Sequence, residues 1–473
     1  MQMHPLFGKR AILPGLLSVP DRRRLTAGLM VALLMVGLIW WVGYRADRSD
    51  FAPLIGAFTG LWVAYVVLMA LGRRGTLPYR QLVGLGVLLR VLLLFSLPTL
   101  SDDVYRFLWD GHLLAQGIHP FAFTPQQALQ QGLVKGEFAL ELFERLNSPQ
   151  YYTVYPPVCQ GVFALAALIF PTDMSGGIWV VKLFLLTTEL AALWSLWRLP
   201  AGPKAAAVYA LNPLVLVEVM GNAHFEGAVV AFLLVGWLLL RRQRYLSGAL
   251  SWALAIATKL LPLLFLPVLW LHLNGRTRWK FLGGVVLFCA ALFAPLADVE
   301  ALTNLFSSLR LYFQQFTFNA GVYYALKGLL KAIGQEAFLQ ARLLGPLLGF
   351  LTMLGIWAIA LYRPTRPSLL SMEERLVLTV ALYLLLSATV HPWYVIVPFG
   401  LSQVSDTARQ WRFPLVWSAV IALSYSHYAD GGFQEKYPYI VLEYVAVGAA
   451  LKWDIYRKRF SPKAPLSTSQ VFG

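Results

Sequence analysis

Apolar runs of roughly 15 to 20 residues recur along almost the entire chain, and this recurrence limits its fold more than any other feature. A helix of about 20 apolar residues is long enough to cross the hydrocarbon core of a bilayer. Only 13% of the 473 residues are charged, whereas soluble domains carry about 25%. A soluble globular protein is therefore excluded, and an outer-membrane barrel would instead show alternating segments of about ten residues. The sequence predicts an all-α polytopic membrane protein.

The positions of the basic residues predict the orientation in the membrane. Most of the 39 Lys and Arg residues fall in alternate loops, beginning with Arg22 to Arg24 before the first apolar run. Loops rich in Lys and Arg stay in the cytoplasm, so we expect a multi-pass inner-membrane protein with both termini cytoplasmic. The formal net charge of +16 then follows from topology. We predict no nucleic-acid partner, and we expect the basic tails to touch anionic membrane lipids.

Two longer polar segments interrupt the apolar runs and are predicted to be external. The first includes Val158 to Phe170, which is too short to span comfortably and which we interpret as a helix at the outer interface. We therefore predict one membrane domain with two external elaborations. Its segments are residues 1–98, the N-terminal cytoplasmic tail and first three spans; 99–177, an external loop with juxtamembrane helices and an acidic motif; 178–296, central spans; 297–342, a second external segment; and 343–473, C-terminal spans and a basic cytoplasmic tail.

An acidic pair, Asp102-Asp103, stands where the third predicted span emerges outside. Carboxylates at a membrane boundary are costly unless they are solvated, paired or used, so they are candidates for function. The same residues also fit an ordinary helix start, with Ser101 as the N-cap and acids in the first turn. The two interpretations are compatible, because a helix cap can hold a catalytic acid rigidly.

Further polar residues cluster at predicted external ends of spans, and each has a structural alternative. Tyr155 precedes two prolines at the start of the interfacial helix, where aromatic anchors are common. Lys259 lies in apolar sequence, where it would either snorkel or hold an anionic group. The other candidates are Asn222, His224, Glu226, Asn319, His391, Trp393 and Tyr394. A polar turn or a structural histidine explains each alone, but their common side favours an enzyme over a transporter, whose polar groups would lie near mid-membrane.

At these residues the chain resembles the GT-C superfamily of membrane glycosyltransferases, which use polyprenyl-phosphate sugars, and within it the mannosyltransferase-like branch. The matching motifs are Asp102-Asp103, Tyr155-Pro156-Pro157, Asn212-Pro213 to Glu226, Lys259-Leu260-Leu261-Pro262, Phe318 to Tyr324, and His391-Pro392-Trp393-Tyr394. The apolar runs supply about 12 to 14 candidate spans, so with the resemblance we expect a GT-C-like bundle of that many transmembrane helices with external juxtamembrane helices. It favours Asp102 as the base. The acidic pair follows the third span rather than the first, which indicates an added N-terminal hairpin.

The resemblance also implies a function: transfer of a hexose, with mannose favoured, from a polyprenyl-phosphate donor to a lipid or glycan acceptor at the external face. A lipid phosphate leaves as a stable anion, so direct inverting displacement needs one carboxylate, Asp102 or Asp103, to take the acceptor proton. Lys259, His391 and Arg310 are then expected to hold the phosphate, and the remaining candidates to contact the substrates. No metal ion or cofactor is predicted. A lipid-linked sugar flippase or transporter and a non-catalytic scaffold stay open as alternatives, although the sequence shows no internal repeat.

Overall fold

The computed structural model describes residues 19–298, 303–305, 307–308, 316–363 and 370–460. Within these ranges the chain folds into helices, and an isolated backbone bridge joins Phe318 to Thr389. Helices are expected here, because a bilayer offers no hydrogen-bond partners and each peptide group must be satisfied within its own segment. The predicted all-α polytopic membrane fold is confirmed.

The helices of the first half of the chain carry the acidic motif and its supports. They are α1 (Val19–Tyr44), α2 (Phe51–Arg73), α3 (Tyr79–Leu93), α4 (Asp103–Ala115), α5 (Pro125–Gln130), α6 (Glu137–Glu144), α7 (Pro157–Ile169), α8 (Met174–Arg198), α9 (Gly202–Ala210), α10 (Pro213–Val215, continued by a π-helical turn over Leu216–Gly221) and α11 (Glu226–Arg241).

The helices of the second half are shorter and more often interrupted. They are α12 (Tyr245–Thr258), α13 (Leu266–His272, after a 3-10 turn over Leu261–Phe265), α14 (Gly275–Phe293, extended by a 3-10 turn over Ala294–Leu296), α15 (Gly321–Ala332), α16 (Glu336–Gln340), α17 (Leu344–Leu361), α18 (Met372–Leu386), α19 (Ile396–Ser402, after a 3-10 turn over Pro392–Val395), α20 (Phe413–Val420, after a 3-10 turn over Ala408–Gln410 and extended by a 3-10 helix over Ile421–Gly431) and α21 (Tyr437–Phe460).

Among the described residues, five helices are long and apolar enough to cross a bilayer by themselves. They are Arg22–Tyr44, Phe51–Arg73, Met174–Arg198, Gly275–Leu296 and Leu344–Leu361. A sixth span results if α9 and the helix over Pro213–Gly221, which are bent by 56° relative to each other, form one broken span. The other predicted spans lie in shorter helices or, for α21, in a long helix that is less apolar. By length and composition alone, five or six of the expected 12 to 14 spans are full-length apolar helices among the described residues.

An antiparallel hairpin of α11 and α12 brings two predicted site residues to the same end of the bundle. The two helices pack closely at Gly236, where an added Cβ would collide with the side chain of Trp252. Such small residues allow helix backbones to approach each other in membrane proteins. Glu226 is the first residue of α11 and Lys259 directly follows α12. The hairpin geometry therefore places these two side chains side by side.

A second close helix pair, α4 and α7, carries the acidic motif. An added Cβ at Gly111 of α4 would collide with the backbone of Phe163 of α7, and the rings of Phe107 and Phe163 stack with centroids 4.7 Å apart. The N-terminus of α4 begins at Asp103, and Tyr155 lies just before α7. A helix, α7, is thus present where the interfacial helix is predicted, and it holds the tyrosine next to the acids.

A fully buried ion pair joins α3 to α8 in the interior of the bundle. The guanidinium of Arg90 donates to Glu189 Oε2 through Nη2 at 2.7 Å and through Nε at 2.9 Å, and both side chains are 0% exposed. Arg90 Nη1 also donates to the carbonyl oxygens of Ala210 at 2.6 Å and Gly86 at 2.9 Å. The Tyr209 hydroxyl donates to the second oxygen of Glu189 at 2.8 Å. These contacts satisfy both charged groups without any ligand.

Candidate active site

The acidic pair lies at the N-terminus of α4, and its two carboxylates have different partners. Asp102 accepts a hydrogen bond from Nη2 of Arg48 at 2.5 Å, and both side chains are about one-third exposed, at 33% and 31%. Asp103 accepts hydrogen bonds from the Tyr155 hydroxyl at 3.2 Å and from Nδ2 of Asn147 at 3.3 Å. Asp102 is therefore neutralised by a cation, whereas the hydrogen-bond donors to Asp103 are neutral.

Burial changes the acidity of Asp103. Removal from water raises the pKa of this carboxyl group, while the charge of Lys259 and the hydrogen bonds from Tyr155 and Asn147 lower it, and the net shift is upward. A carboxylate with a raised pKa accepts a proton more readily near neutral pH. Among the two acids of the pair, Asp103 is the one whose pKa is raised.

Lys259 lies beside the acidic pair in a cage of aromatic rings and one carboxylate. Its Nζ is 2.6 Å from Oε1 of Glu226, and it lies 5.9 Å from the ring centroid of Tyr155 and 5.7 Å from that of Tyr394. These ring distances are typical of cation–π contacts. Burial lowers the pKa of Lys259, but the carboxylate of Glu226 outweighs it and the net shift is upward, so the ammonium stays charged. Because the Tyr155 hydroxyl also bonds to Asp103, all five of these predicted residues belong to one cluster.

Four rings form a continuous stack next to this cluster. The centroid distances are 3.6 Å from His224 to Trp393, 4.5 Å from Trp393 to His391, and 4.4 Å from His391 to Phe318. Burial, together with the charge of Lys259, lowers the pKa of His391 to about 3 and that of His224 well below its ordinary value. Both imidazoles are therefore neutral. His391, which we expected to act as a cation, would contribute a hydrogen bond to a phosphate rather than a charge.

Glu218 is a buried carboxylate of this region that the sequence analysis did not identify. It lies in the π-helical turn and accepts hydrogen bonds from the Tyr425 hydroxyl and from Nδ2 of Asn222, the latter at 3.2 Å. One of its oxygens is 3.6 Å from Nε2 of His224. The amide oxygen of Asn222 accepts a hydrogen bond from the backbone of Leu100 at 3.3 Å, just before the acidic pair. An acid within an apolar run is itself a signal of function and could have drawn attention to Glu218.

Arg48 is a second neighbour of the site that sequence reasoning missed. It lies in the short loop between α1 and α2, contacts Asp102, and has its guanidinium carbon 5.0 Å from the ring centroid of Tyr428. Arg48 lies in a loop predicted to be on the same side of the membrane as the acidic pair, and this position could have identified it. Within the described ranges, no group of three or more His, Cys, Asp or Glu side chains is arranged to hold a metal ion.

Asn319 is engaged in a buried network. Its side chain is 0% exposed, its Nδ2 donates to Oε2 of Glu443 at 2.9 Å, and its backbone N–H donates to Oε1 of Glu435 at 3.2 Å. Its φ of +51° is uncommon for a residue other than glycine, although asparagine tolerates it best. These contacts hold the loop that carries Phe318 into the ring stack. A substrate contact by Asn319 stays a prediction, and Arg310 lies outside the described residues.

The fold and the site define a polytopic helical membrane protein with acidic, cationic and aromatic side chains gathered at one end of its helices. Residues 25–275, just over half of the chain, match the family described as alpha-(1->6)-mannopyranosyltransferase, N-terminal domain, and the chain belongs to this family. The resemblance to the mannosyltransferase-like GT-C branch is thereby confirmed. The matched range includes the acidic pair, Tyr155, Glu226 and Lys259, whereas Tyr394 lies beyond it.

Individual relatives carry the same description. The chain is 28% identical over 261 residues to alpha-(1->6)-mannopyranosyltransferase A of Mycobacterium tuberculosis, covering 51% of this chain and 49% of the relative. It is 25% identical over 240 residues to alpha-(1->6)-mannopyranosyltransferase A of Corynebacterium glutamicum, covering 46% and 47%. It is 26% identical over 149 residues to alpha-(1->6)-mannopyranosyltransferase B of Corynebacterium glutamicum, covering 30% and 24%. The matched region thus spans about half the length of the first two relatives.

Proposed function

We propose that the protein is a membrane glycosyltransferase that transfers a hexose, with mannose favoured, from a polyprenyl-phosphate donor to a hydroxyl of a lipid or glycan acceptor at the external face. The observation that carries the proposal is the position of Tyr155 between Asp103 and Lys259. In the proposal, the carboxylate bonded to the tyrosine hydroxyl accepts the proton, and the ammonium group over the tyrosine ring holds the phosphate. The family and the names of the relatives support mannose as the sugar.

The reaction in this proposal is a single displacement at the anomeric carbon. The acceptor oxygen attacks C1 from the face opposite the phosphate, a new O–C1 bond forms, and the bond from C1 to the phosphate oxygen breaks with inversion. The phosphate leaves with the bonding electron pair and needs no proton, while the acceptor proton passes to the aspartate. Lys259 stabilises the negative charge of the leaving phosphate, and preorganised charges of this kind are usually a large part of catalysis.

The contacts of the pair favour Asp103 over Asp102 as the base. Proton uptake by Asp102 would break its ion pair with Arg48. Asp103 has a raised pKa and is oriented by Tyr155 and Asn147. In this assignment the ion pair of Asp102 and Arg48 stabilises the start of α4.

The distribution of basic residues at the helix ends around the site supports the external location. The helix α11 runs from Glu226 to Arg241, and α8 ends at Arg198, so that basic residues occur at the end remote from the cluster. Under the positive-inside rule that end faces the cytoplasm. A site on the other face would meet lipid-linked sugars rather than cytoplasmic nucleotide sugars.

The test is transfer by the purified protein in detergent or in vesicles. We expect it to form a mannosylated product from polyprenyl-phosphate mannose and a short mannose-containing acceptor. Use of a nucleotide sugar in place of the lipid-linked donor would contradict the proposal. Movement of the lipid-linked sugar across vesicles without transfer would instead support a flippase.

A further inference from the structure

The ammonium group of Lys259, the candidate for binding an anion, is already paired with the carboxylate of Glu226. Lys259 Nζ is 2.6 Å from the Glu226 carboxylate, yet the lysine side chain is 26% exposed and the glutamate side chain only 3%. The rings of Tyr155 and Tyr394 flank the ammonium group. In the described part of the chain, neither carboxylate oxygen of Glu226 has a hydrogen-bond partner apart from this lysine. Glu226 therefore depends on Lys259 for its charge compensation.

The charges of the surroundings make an anionic donor difficult to bind. Carboxyl groups outnumber cations in the cluster and among its immediate neighbours, and both histidines are neutral. The carboxylates are Asp102, Asp103, Glu218 and Glu226, and the cations are Arg48 and Lys259. A donor phosphate would add one more negative charge. A buried carboxylate that loses its cation becomes strongly unfavourable and tends to take up a proton instead.

We propose that Glu226 is an exchangeable occupant of the donor-phosphate site: the phosphate displaces its carboxylate from Lys259, and Glu226 takes up one proton from water as it does so. The inference rests on the proposed function, because it takes a lipid phosphate as the ligand. After the exchange the ammonium is paired with the phosphate, and Glu226 is a neutral carboxylic acid. Charge is conserved, and no covalent bond other than the O–H bond of Glu226 forms.

The groups that face Glu226 favour this exchange. Glu218 precedes Glu226 in the chain, and Asp103 is near Lys259. When ionised, both acids disfavour a negative charge on Glu226 once Lys259 pairs with the phosphate. Burial raises the pKa of the Cys159 thiol of α7, so this group stays neutral. The described titratable or charged neighbours of Glu226 and its lysine are Lys259, Glu218, Asp103, Cys159, His224, His391, Tyr155, Tyr383 and Tyr394. Lys259 is the cation among these groups.

The experiment measures binding rather than transfer. The probe is farnesyl methyl phosphate, a phosphodiester whose single charge does not titrate between about pH 5 and 8, added to the purified full-length protein in detergent. We expect the affinity of the wild-type protein to fall as the pH rises, by up to about tenfold per pH unit for one linked proton. Glu226→Gln mimics the protonated acid, so it should bind about tenfold more tightly at the alkaline end and show a flatter pH profile.

Two further variants serve as controls. Glu141→Gln removes a negative charge from an exposed external-loop pair with Arg145 and should retain both the affinity and the pH slope of the wild type. Lys259→Ala should bind the diester roughly ten- to a hundredfold more weakly at every pH. A structural role of Glu226 would not produce tighter binding.

Several results would overturn the exchange. They are a wild-type affinity that does not change with pH, a Glu226→Gln variant with the wild-type slope, and a variant that elutes as folded protein but binds more weakly. Absence of any diester binding by the wild type would remove the lipid-phosphate function itself, together with this inference. If the diester affinity did not change with pH while transfer remained intact, only the exchange of Glu226 would be excluded.

Discussion

Two ion pairs in this protein are built from the same kinds of groups but differ in what surrounds them. The Arg90–Glu189 pair is 0% exposed, and the guanidinium and both carboxylate oxygens have partners from the chain itself. In the Glu226–Lys259 pair the lysine is 26% exposed and the carboxylate oxygens have only the lysine. The first pair is closed and can only hold helices together. The second retains unused donors on its ammonium group and can exchange partners.

The comparison also bears on the transporter alternative. A transporter would use intramembrane charged groups along its pathway. The ionisable groups that the structure places between helices, such as Arg90 and Lys182, are fully buried and bonded to the chain, with Lys182 donating to the carbonyl oxygen of Ser96 at 2.5 Å. These groups brace the bundle, so their contacts favour the enzyme.

Breaking the closed pair should have the largest effect. Arg90→Met leaves Glu189 as an unpaired buried charge, which should lower the free energy of unfolding by about 3–5 kcal/mol. Thermal unfolding of the purified protein measures this effect. The double variant Arg90→Met/Glu189→Leu should recover much of the loss, because both charges are then absent. If Arg90→Met unfolds at the wild-type temperature, the pair is not a structural brace.

Removing the proposed base should lower the rate of transfer without unfolding the protein. Asp103→Asn should reduce turnover by about 10² to 10⁴, the usual contribution of general-base catalysis. Asp102→Asn should have a smaller effect, because Asp102 is proposed to support α4 through Arg48. Single-turnover assays with lipid-linked donor measure both. A larger loss for Asp102→Asn would reverse the assignment, and wild-type rates for both would exclude the pair from the mechanism.

Opening the exchangeable pair should weaken the use of the donor. Lys259→Ala should raise the donor concentration required by roughly ten- to a hundredfold, as expected for the loss of a charge-assisted hydrogen bond of about 1.5–3 kcal/mol. Lys259→Arg should retain part of the activity, because it keeps the charge. Titration of the donor at fixed acceptor measures the change. An unaltered donor dependence in the alanine variant would show that Lys259 only extends toward the interface.

The fall of kcat at low pH, the acid limb of the pH profile, should be caused by protonation of Asp103. Its raised pKa means that the carboxyl group is still partly protonated at pH values where an ordinary aspartate is fully ionised. A base must be deprotonated to act, so kcat should rise with pH through this pKa and level off above it. Asp103→Asn should abolish this limb in whatever activity remains. An acid limb that is unchanged in the variant would assign it to another group.

Labelling tests the side of the membrane on which the cluster lies. A cysteine at the exposed Gln126 should react with a membrane-impermeant reagent in intact cells, because the loop is predicted to be external. A matched cysteine at the exposed Arg242, in a loop predicted to be cytoplasmic, should react only after lysis. The reverse pattern would place the acidic pair in the cytoplasm.

Sequence reasoning identified site residues best where a polar or charged side chain lies in apolar sequence, since burying such a group costs free energy. Asp103, Tyr155, Glu226, Lys259 and Tyr394 were identified because polar groups at apolar span ends require an explanation, and the structure brings all five together. It did not separate the five or six full-length apolar helices of the described residues from the shorter ones, because helix ends inside apolar runs depend on packing as well as on sequence. It also could not predict that burial would keep His391 neutral.

The sequence by itself determined the class of protein, because hydrophobic run length and the scarcity of charge depend on composition alone. It also identified the chemical groups of the site, since a carboxylate pair and a lone lysine are visible without a fold. Only the tertiary structure decided which groups are partners. Arg48 meets Asp102 across 54 positions of the chain, and Lys259 meets Glu226 because α11 and α12 form a hairpin. Pairing depends on distances between side chains from separate helices, and these distances are set by helix packing. The tertiary structure alone therefore distinguished the closed pair Arg90–Glu189 from the pair Glu226–Lys259, which can open to a ligand.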